Sequence, residues 1–268
     1  MDKLNSENVK KYLKNRSVHQ KWVKNYRCSE NEKYFNQVFD YISRFLSAPE
    51  NSIFLDAGCG SCSHSMRLAK RGFFVQAIDF SEEALKMARK NVAFQRLENK
   101  INIQREDICA LSFKNNTFNY ILCWGVLMHI PDLEKAVAEL ARVLKPGGIL
   151  IISENNMHSL ESKISRIIAK PSKNEITKNT PAGIEYWWTT PDGAILARQA
   201  NVQYLIQKFK NRQIIPKKRI AGQFTEAYTK VSAPFLKHLI HAFINFWFKY
   251  IKIPYPALGN ILIFEKKK

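Results

Sequence analysis

The sequence predicts an α/β fold, a seven-stranded and mostly parallel sheet with helices on both faces and an antiparallel C-terminal strand. Three observations carry this. Between Ile53 and Glu154, short apolar runs alternate four times with amphipathic stretches of helical period, the pattern of strands buried on both faces and joined by crossover helices. Helix start and stop signals fall between those runs. The chain also finishes on GNILIFE, a strand pattern with no helix after it, which pairs antiparallel beside a sixth strand.

Taken in order, Trp22, Tyr26, Tyr34, Phe35, Val38, Phe39, Ile42 and Phe45 recur at helical spacing among charges until Pro49, giving a helical cap over residues 1–50. The strands that follow are IFLDA, FFVQAID, INIQRED, FNYILCWG and ILIISE. The helices between them are SMRLAKRG, SEEALKMARKNVAFQRL and DLEKAVAELARVLKPGG. Ser81 before Glu82 and Glu83 reads as an N-cap, Gly72 as a C-terminal cap, and Pro146 as a stop. Residues 155–185 are polar and basic without a strand signal. Thr190, Pro191 and Asp192 then open a helix, GAILARQAN, and VQYLIQKF forms the sixth strand. The core therefore spans residues 51–210 with an insertion at 155–188. A helical insertion at 211–257 and the terminal strand at 258–268 complete the chain. No internal repeat or low-complexity tract is present.

A chain of 268 residues, 46% of them hydrophobic, buries a full core without staples. Five cysteines, Cys28, Cys59, Cys62, Cys109 and Cys123, stand in apolar surroundings with no apolar signal segment before them, which predicts free thiols and a cytoplasmic location. The net charge of +19 is uneven: +4 over residues 1–50, +3 over 51–153 and +12 over 154–268. The basic third suits RNA, anionic lipid or an acidic small molecule, or is simply a lysine-rich solvated surface.

In an open parallel sheet the ligand lies beyond the carboxyl ends of the strands, over the first strand–helix turn. Gly58 and Gly60 occupy that turn, within IFLDAGCGSCSH. The third glycine of a dinucleotide fingerprint is absent, because Ser63 stands there, and no Lys-Ser/Thr pair follows for a triphosphate. Asp79 ends the second strand 21 residues after Gly58, where a carboxylate accepts from ribose hydroxyls. Asp107 ends the third strand, in reach of an adenine amino group. Asp56 opposes a pyrophosphate and suits a ligand carrying positive charge.

LDAGCGSC, AIDFS, REDI, YILCWGVLMHIPD and LKPGGILIISE, in that order and spacing, resemble the successive motifs of class I S-adenosylmethionine-dependent methyltransferases, of the broad type that includes quinone-biosynthesis enzymes. The resemblance covers about residues 53–210 and the terminal strand, and implies a Rossmann-like core binding S-adenosylmethionine. It departs from the family where Cys62 replaces a third alternate glycine. It also lacks Asn/Asp-Pro-Pro-Tyr after the fourth strand, which argues against amino groups of adenine or cytosine as acceptors. Carried over, the resemblance implies that Gly58, Cys59 and Gly60 pass close to the methionine moiety, with Asp56 fixing the turn. Asp79 would hold the ribose, Phe80 would pack on the adenine, and Asp107 with Ile108 would receive its edge. Cys123 and Trp124 would lie near the sulfonium, with Tyr26 closing over the cofactor.

The expected function is methyl transfer to a small-molecule or lipid-linked acceptor at a hydroxyl. The alternatives are an RNA-binding methyltransferase using the basic C-terminal region and, more remotely, a nucleotide-binding oxidoreductase. His129, just past the fourth strand, is the candidate base, against a packing role. Cys59 and Cys62 with His64 look like a metal pair, but no second ligand pair follows, so no metal is expected. Trp187 and Trp188 either cover the acceptor or pack before a helix. In FLKHLIHAFINFWFKYI (235–251), Lys237, His238, His241, Asn245 and Lys249 form one polar stripe on an otherwise apolar helix. That helix meets the body, a second subunit in a homodimer, or a membrane surface peripherally. It is too short to span a bilayer.

Overall fold

In the computed structural model, which describes residues 4–26, 29–49, 52–168 and 174–268, the alternation after Ile53 becomes a layered core. Cys28 lies outside the described residues. Helices α1 (Ser6–Leu13), α2 (Arg16–Tyr26) and α3 (Ser29–Leu46) precede β1 (Ile53–Ala57), α4 (Ser63–Ala69), β2 (Phe74–Asp79), α5 (Glu82–Phe94), β3 (Ile101–Arg105), β4 (Phe118–Trp124), α6 (Leu133–Val143) and β5 (Leu144–Asn155). The second half carries α7 (Leu160–Ile168), β6 (Glu175–Thr180), β7 (Gly183–Thr190), β8 (Gly193–Ala200), α8 (Val202–Lys210), β9 (Ile214–Ala221), α9 (Pro234–Phe246) and β10 (Gly259–Lys266).

The main sheet has seven strands in the order β3-β2-β1-β4-β5-β10-β9. β1 to β5 are parallel, and β10 runs antiparallel to both β5 and β9. Side-chain alternation along each strand separates two apolar layers. Leu122 of β4 and Ile151 of β5 pack with Phe39, Leu68, Leu85 and Ile244 on the face of α3, α4, α5 and α9. Ile121, Cys123, Leu150 and Ile152 pack with Val137, Leu140, Leu205 and Phe209 on the face of α6 and α8. Ser81 caps α5 as expected, its Oγ accepting from Ala84 N–H at 3.4 Å.

Several expectations in the second half are corrected. The segment read as lacking strand signal contains β6 and the start of β7, and GAILARQA is not a helix but β8. Together these strands make a separate antiparallel sheet, β6-β7-β8. Along β8, Ala194, Leu196, Arg198 and Ala200 are buried in alternation, because Trp187 and the α1 residues Val9 and Leu13 pack against one of its faces. VQYLIQKF is α8, capped by Asn201, whose side chain accepts from Tyr204 N–H, with Val202, Leu205 and Phe209 turned to the sheet. The sixth core strand is β9, inside the stretch read as a helical insertion. Trp187 and Trp188 thus lie on β7, not before a helix. Trp187 is buried and donates to Glu185, and Trp188 donates to Glu175.

The α9 helix is inverted relative to ordinary amphipathic packing. Its polar His241 and Asn245 are buried, with the His241 ring 4.4 Å from that of Tyr228. Its apolar Phe235, Leu236, Leu239, Phe243 and Phe246 are exposed, Phe235 at 75%. α7 beside it exposes Leu160, Ile164, Ile167 and Ile168, and the two helices share a groove of about 530 Å³ with Lys230 at its edge.

Candidate active site

A cavity of about 510 Å³ lies along the carboxyl edge of the main sheet, within the size range of ligand pockets. Its floor starts at Gly58–Ser61 after β1. It continues past Trp124 and Gly125 after β4 and Ser153–Asn155 ending β5, to Gly259 opening β10 and Gln223 and Glu226 beyond β9. Leu13, His19, Trp22, Val23 and Tyr26 from α1 and α2 roof one side, with Ile195 and Ala197 of β8 beside them.

The glycine turn is tied to the neighbouring strand end. Asp79 Oδ2 accepts from Gly60 N–H at 3.0 Å and Oδ1 from Ser81 N–H at 2.9 Å. Each oxygen keeps a second lone pair for a ligand hydroxyl. Burial pushes its carboxyl above the ordinary range. The two glycines differ in what they do. A Cβ on Gly58 (φ +82°) would stand 2.4 Å from Val126 Cγ2, whereas one on Gly60 (φ +56°) would meet nothing within 4 Å. Gly58 is therefore required by packing, and Gly60 borders open space over the turn. Cys62 takes the left-handed conformation (φ 64°) at the start of α4, so the backbone turns as a third glycine would allow. Its side chain is fully buried.

Of the residues singled out in the sequence, Gly58, Cys59, Gly60, Asp79, Phe80, Ile108, Trp124, Tyr26 and His129 line this one cavity. Asp56, Asp107 and Cys123 do not. Asp56 is buried under the turn, takes a 2.5 Å hydrogen bond from Ser65 Oγ of α4, and is pushed up to about 7 by burial. It ties β1 to α4. Asp107 pairs with Lys10 of α1 and accepts from Cys109 N–H, leaving Glu106 and Ile108 to face the cavity. Cys123 points into the α6 and α8 layer. Among the described residues no three His, Cys, Asp or Glu side chains gather as a metal set.

His129 ends a short 3-10 turn, Leu127–His129. Its Nδ1 lies 2.6 Å from Leu196 O, so Nδ1 carries the proton and Nε2 is left as acceptor. The ring stacks on Trp22 at 5.1 Å, and burial lowers its pKa, keeping the imidazole neutral. The turn itself is held by Arg198 of β8, which donates to Leu127 O and Ile130 O and pairs with buried Glu185 at 2.7 Å.

Glu154, Glu226 and Arg198 are not among the residues singled out from the sequence. Glu154 accepts from Leu127 N–H at 2.9 Å, and burial pushes it up to about 8. Glu226 accepts from Tyr26 O–H at 3.1 Å, and burial pushes it up to about 7. Only the position of Glu154 at a strand's carboxyl end was a readable signal.

Residues 55–152 match the sequence profile described as a methyltransferase domain. Residues 55–152 form a class I, S-adenosylmethionine-dependent methyltransferase domain. Over 102 residues the chain is 37% identical to a ubiquinone biosynthesis O-methyltransferase of Coxiella burnetii, covering 38% of this chain and 43% of that protein. Over 111 residues it is 35% identical to a demethylmenaquinone methyltransferase of Desulfitobacterium hafniense, covering 40% and 43%. The chain thus spans less than half the length of these curated relatives. An S-adenosylmethionine-dependent methyltransferase from Clostridium acetobutylicum has a similar fold, with a TM-score of 0.62 and 16% identity over 94% of this chain and 98% of that one. That likeness of fold runs through the cap and the second half.

Proposed function

We propose that the chain transfers a methyl group from S-adenosylmethionine to a small-molecule or lipid-linked acceptor, at a hydroxyl. The observation that carries this reading is the shape of the cavity, one continuous, partly open space joining the Gly60–Asp79 turn to Ser153–Asn155, Gly259 and Glu226. It has room for a cofactor at one end and an acceptor at the other. The donor set fits the cofactor. Asp79 retains lone pairs for ribose hydroxyls, Phe80 and Ile108 offer apolar contact to an adenine, and open space over Gly60 admits the methionine moiety. Trp124 stands at the junction of the two halves, with Cys59 beneath. When bound, the cofactor supplies an electrophilic methyl on a positively charged sulfur that leaves as a neutral thioether.

What the chain adds is alignment and exclusion of water. The roof of α1 and α2 closes the site, Arg198 fixes the turn that bears His129, and neutral His129 offers Nε2 to an acceptor proton. Calorimetry with S-adenosylhomocysteine tests the reading. Asp79→Ala is expected to weaken binding by about 1.5–3 kcal/mol, the scale of hydrogen bonds to a charged group. Equal affinities for wild type and variant refute the assignment, and tight binding of a nicotinamide dinucleotide favours the oxidoreductase alternative.

The outward apolar face of α9 and α7 favours peripheral membrane contact as the route to a lipid-linked acceptor. No described helix is long and apolar enough to cross a membrane. Exposed Lys163, Arg166, Lys230 and Lys249 on and around the face suit anionic headgroups, and the phenylalanines suit the acyl boundary. RNA would use the charge and leave the apolar face unexplained. Sedimentation with anionic vesicles is expected to capture the protein at low salt and lose it when Phe235 and Phe243 become serine. A salt-insensitive dimer that ignores vesicles assigns the face to a second copy instead.

A further inference from the structure

The acceptor half of the cavity is lined by carboxyl groups in an otherwise basic protein. In a chain of net charge +19, the described residues lining this cavity include no lysine and a single arginine, Arg67. That arginine is buried and already paired with Glu32 of α3. Four carboxyls line the same space: Asp79 and Glu106 on the cofactor side, Glu154 and Glu226 on the other. Neighbouring strands are about 4.8 Å apart, so the floor from β4 to β9, three strands along, runs roughly 14 Å beyond the strand that bears Trp124.

The two carboxyls of that half differ in how they are held. Glu154 is 2% exposed. One of its oxygens takes Leu127 N–H, and the other, Oε2, is buried without a hydrogen-bond partner. A buried polar atom left unmet is destabilising, and beside a cavity it is open to a donor from a ligand or from water. Glu226 spans the far end. It sits between β9 and α9, its backbone N–H is tied to Glu161, and its side chain is bridged to Tyr26 of α2 across the cavity. The Tyr26 hydroxyl there has the same donor chemistry as an alcohol or phenol. Trp124, Phe35 and His64 supply aromatic walls, with ring centroids 5.0–6.2 Å apart.

We propose that Glu226 and Glu154 form a hydroxyl-accepting, anion-excluding pole that selects the acceptor: an uncharged molecule with an apolar or aromatic body and a hydrogen-bond donor at its head. This deepens the methyl-transfer reading and rests on it. Glu226 receives the acceptor's hydroxyl in exchange for that of Tyr26, and Glu154 Oε2 receives a second donor. A carboxylate or phosphate at the same place meets two carboxyl groups and, among the described lining residues, no lysine and no arginine but the one held by Glu32, so the basic exterior of the protein does not imply an acidic substrate.

The test separates this from the parent reading. Protein saturated with S-adenosylhomocysteine is titrated at pH 8 with 4-hexylphenol and with 4-hexylbenzoate, matched in body and differing in head. The phenol is expected to bind at least tenfold more tightly, and in Glu226→Gln the ratio is expected to fall below threefold while affinity for S-adenosylhomocysteine stays within twofold of wild type. That retained affinity shows the variant is folded. Failure of S-adenosylhomocysteine to bind the wild type refutes the methyltransferase reading itself. With that ligand bound, benzoate binding as tightly as phenol, no binding of the phenol, or an unchanged ratio in Glu226→Gln overturns the pole.

Discussion

Replacing Glu154 by glutamine is expected to stabilise the protein at alkaline pH and leave it nearly unchanged at acid pH. The carboxyl is buried at the end of β5 and moved from an ordinary 4.5 to about 8, so the folded state holds its proton more tightly than the unfolded chain does. Its contribution is fully present below about pH 4.5 and is lost progressively as pH rises through about 8. At about 1.4 kcal/mol for each tenfold in proton affinity, the folded state is weakened by on the order of 5 kcal/mol once the group is fully ionised. In a chain of this size that corresponds to a change in Tm on the order of 10 °C. Glutamine keeps an oxygen to accept from Leu127 N–H and never ionises. Thermal melts of wild type and Glu154→Gln from pH 5 to 9, at constant ionic strength, should therefore start together and diverge, with the variant higher. A difference between the two that stays flat across this range refutes the reasoning.

Gly58→Ala and Gly60→Ala should separate packing from ligand space. The first forces a Cβ against Val126 at positive φ and is expected to destabilise the fold by about 2–5 kcal/mol; the second, checked by calorimetry, should cost mainly affinity for S-adenosylhomocysteine. Arg198→Ala leaves Glu185 buried without its partner and frees Leu127 O and Ile130 O, so denaturant unfolding should show a loss of about 3–5 kcal/mol. Burial and a hydrogen bond to Cys62 keep the Cys59 thiol protonated. Metal analysis of tag-free protein should accordingly give substoichiometric zinc, and a full equivalent that disappears in Cys62→Ser contradicts this.

The first half of the fold was legible because its patterns are local. Apolar runs of β1 to β5 alternate with helices whose caps, such as Ser81, are a few residues away. The second half was misread where tertiary context overrode propensity. Ala194, Leu196, Ala197, Arg198 and Gln199 are good helix formers, yet α1 and Trp187 hold them as a strand. Pro191-Asp192, taken as a helix start, is the two-residue loop of a hairpin in which Thr190 pairs with Gly193. Asp-Gly at that place was the available hairpin signal. β9 was hidden by Pro216 and its lysines, which an edge strand tolerates. The cofactor end of the site could be read because its residues follow strand ends in order. The acceptor end could not, because Glu226 and Tyr26 are 200 residues apart and no sequence pattern links them.

The packing of α1 on β8 has a consequence for the order in which the site is made. Val9 and Leu13 leave the ribosome before their apolar counterparts Trp187, Ala194 and Leu196, which follow more than 170 residues later. Bringing them together closes a loop that encompasses the entire parallel half of the sheet. During synthesis the floor of the cavity, from the glycine turn to Glu154, thus precedes the β8 face against which α1 packs. Residues translated before the sheet find their packing partner after it, and a nascent chain has a wider crevice where the finished protein has a roofed one.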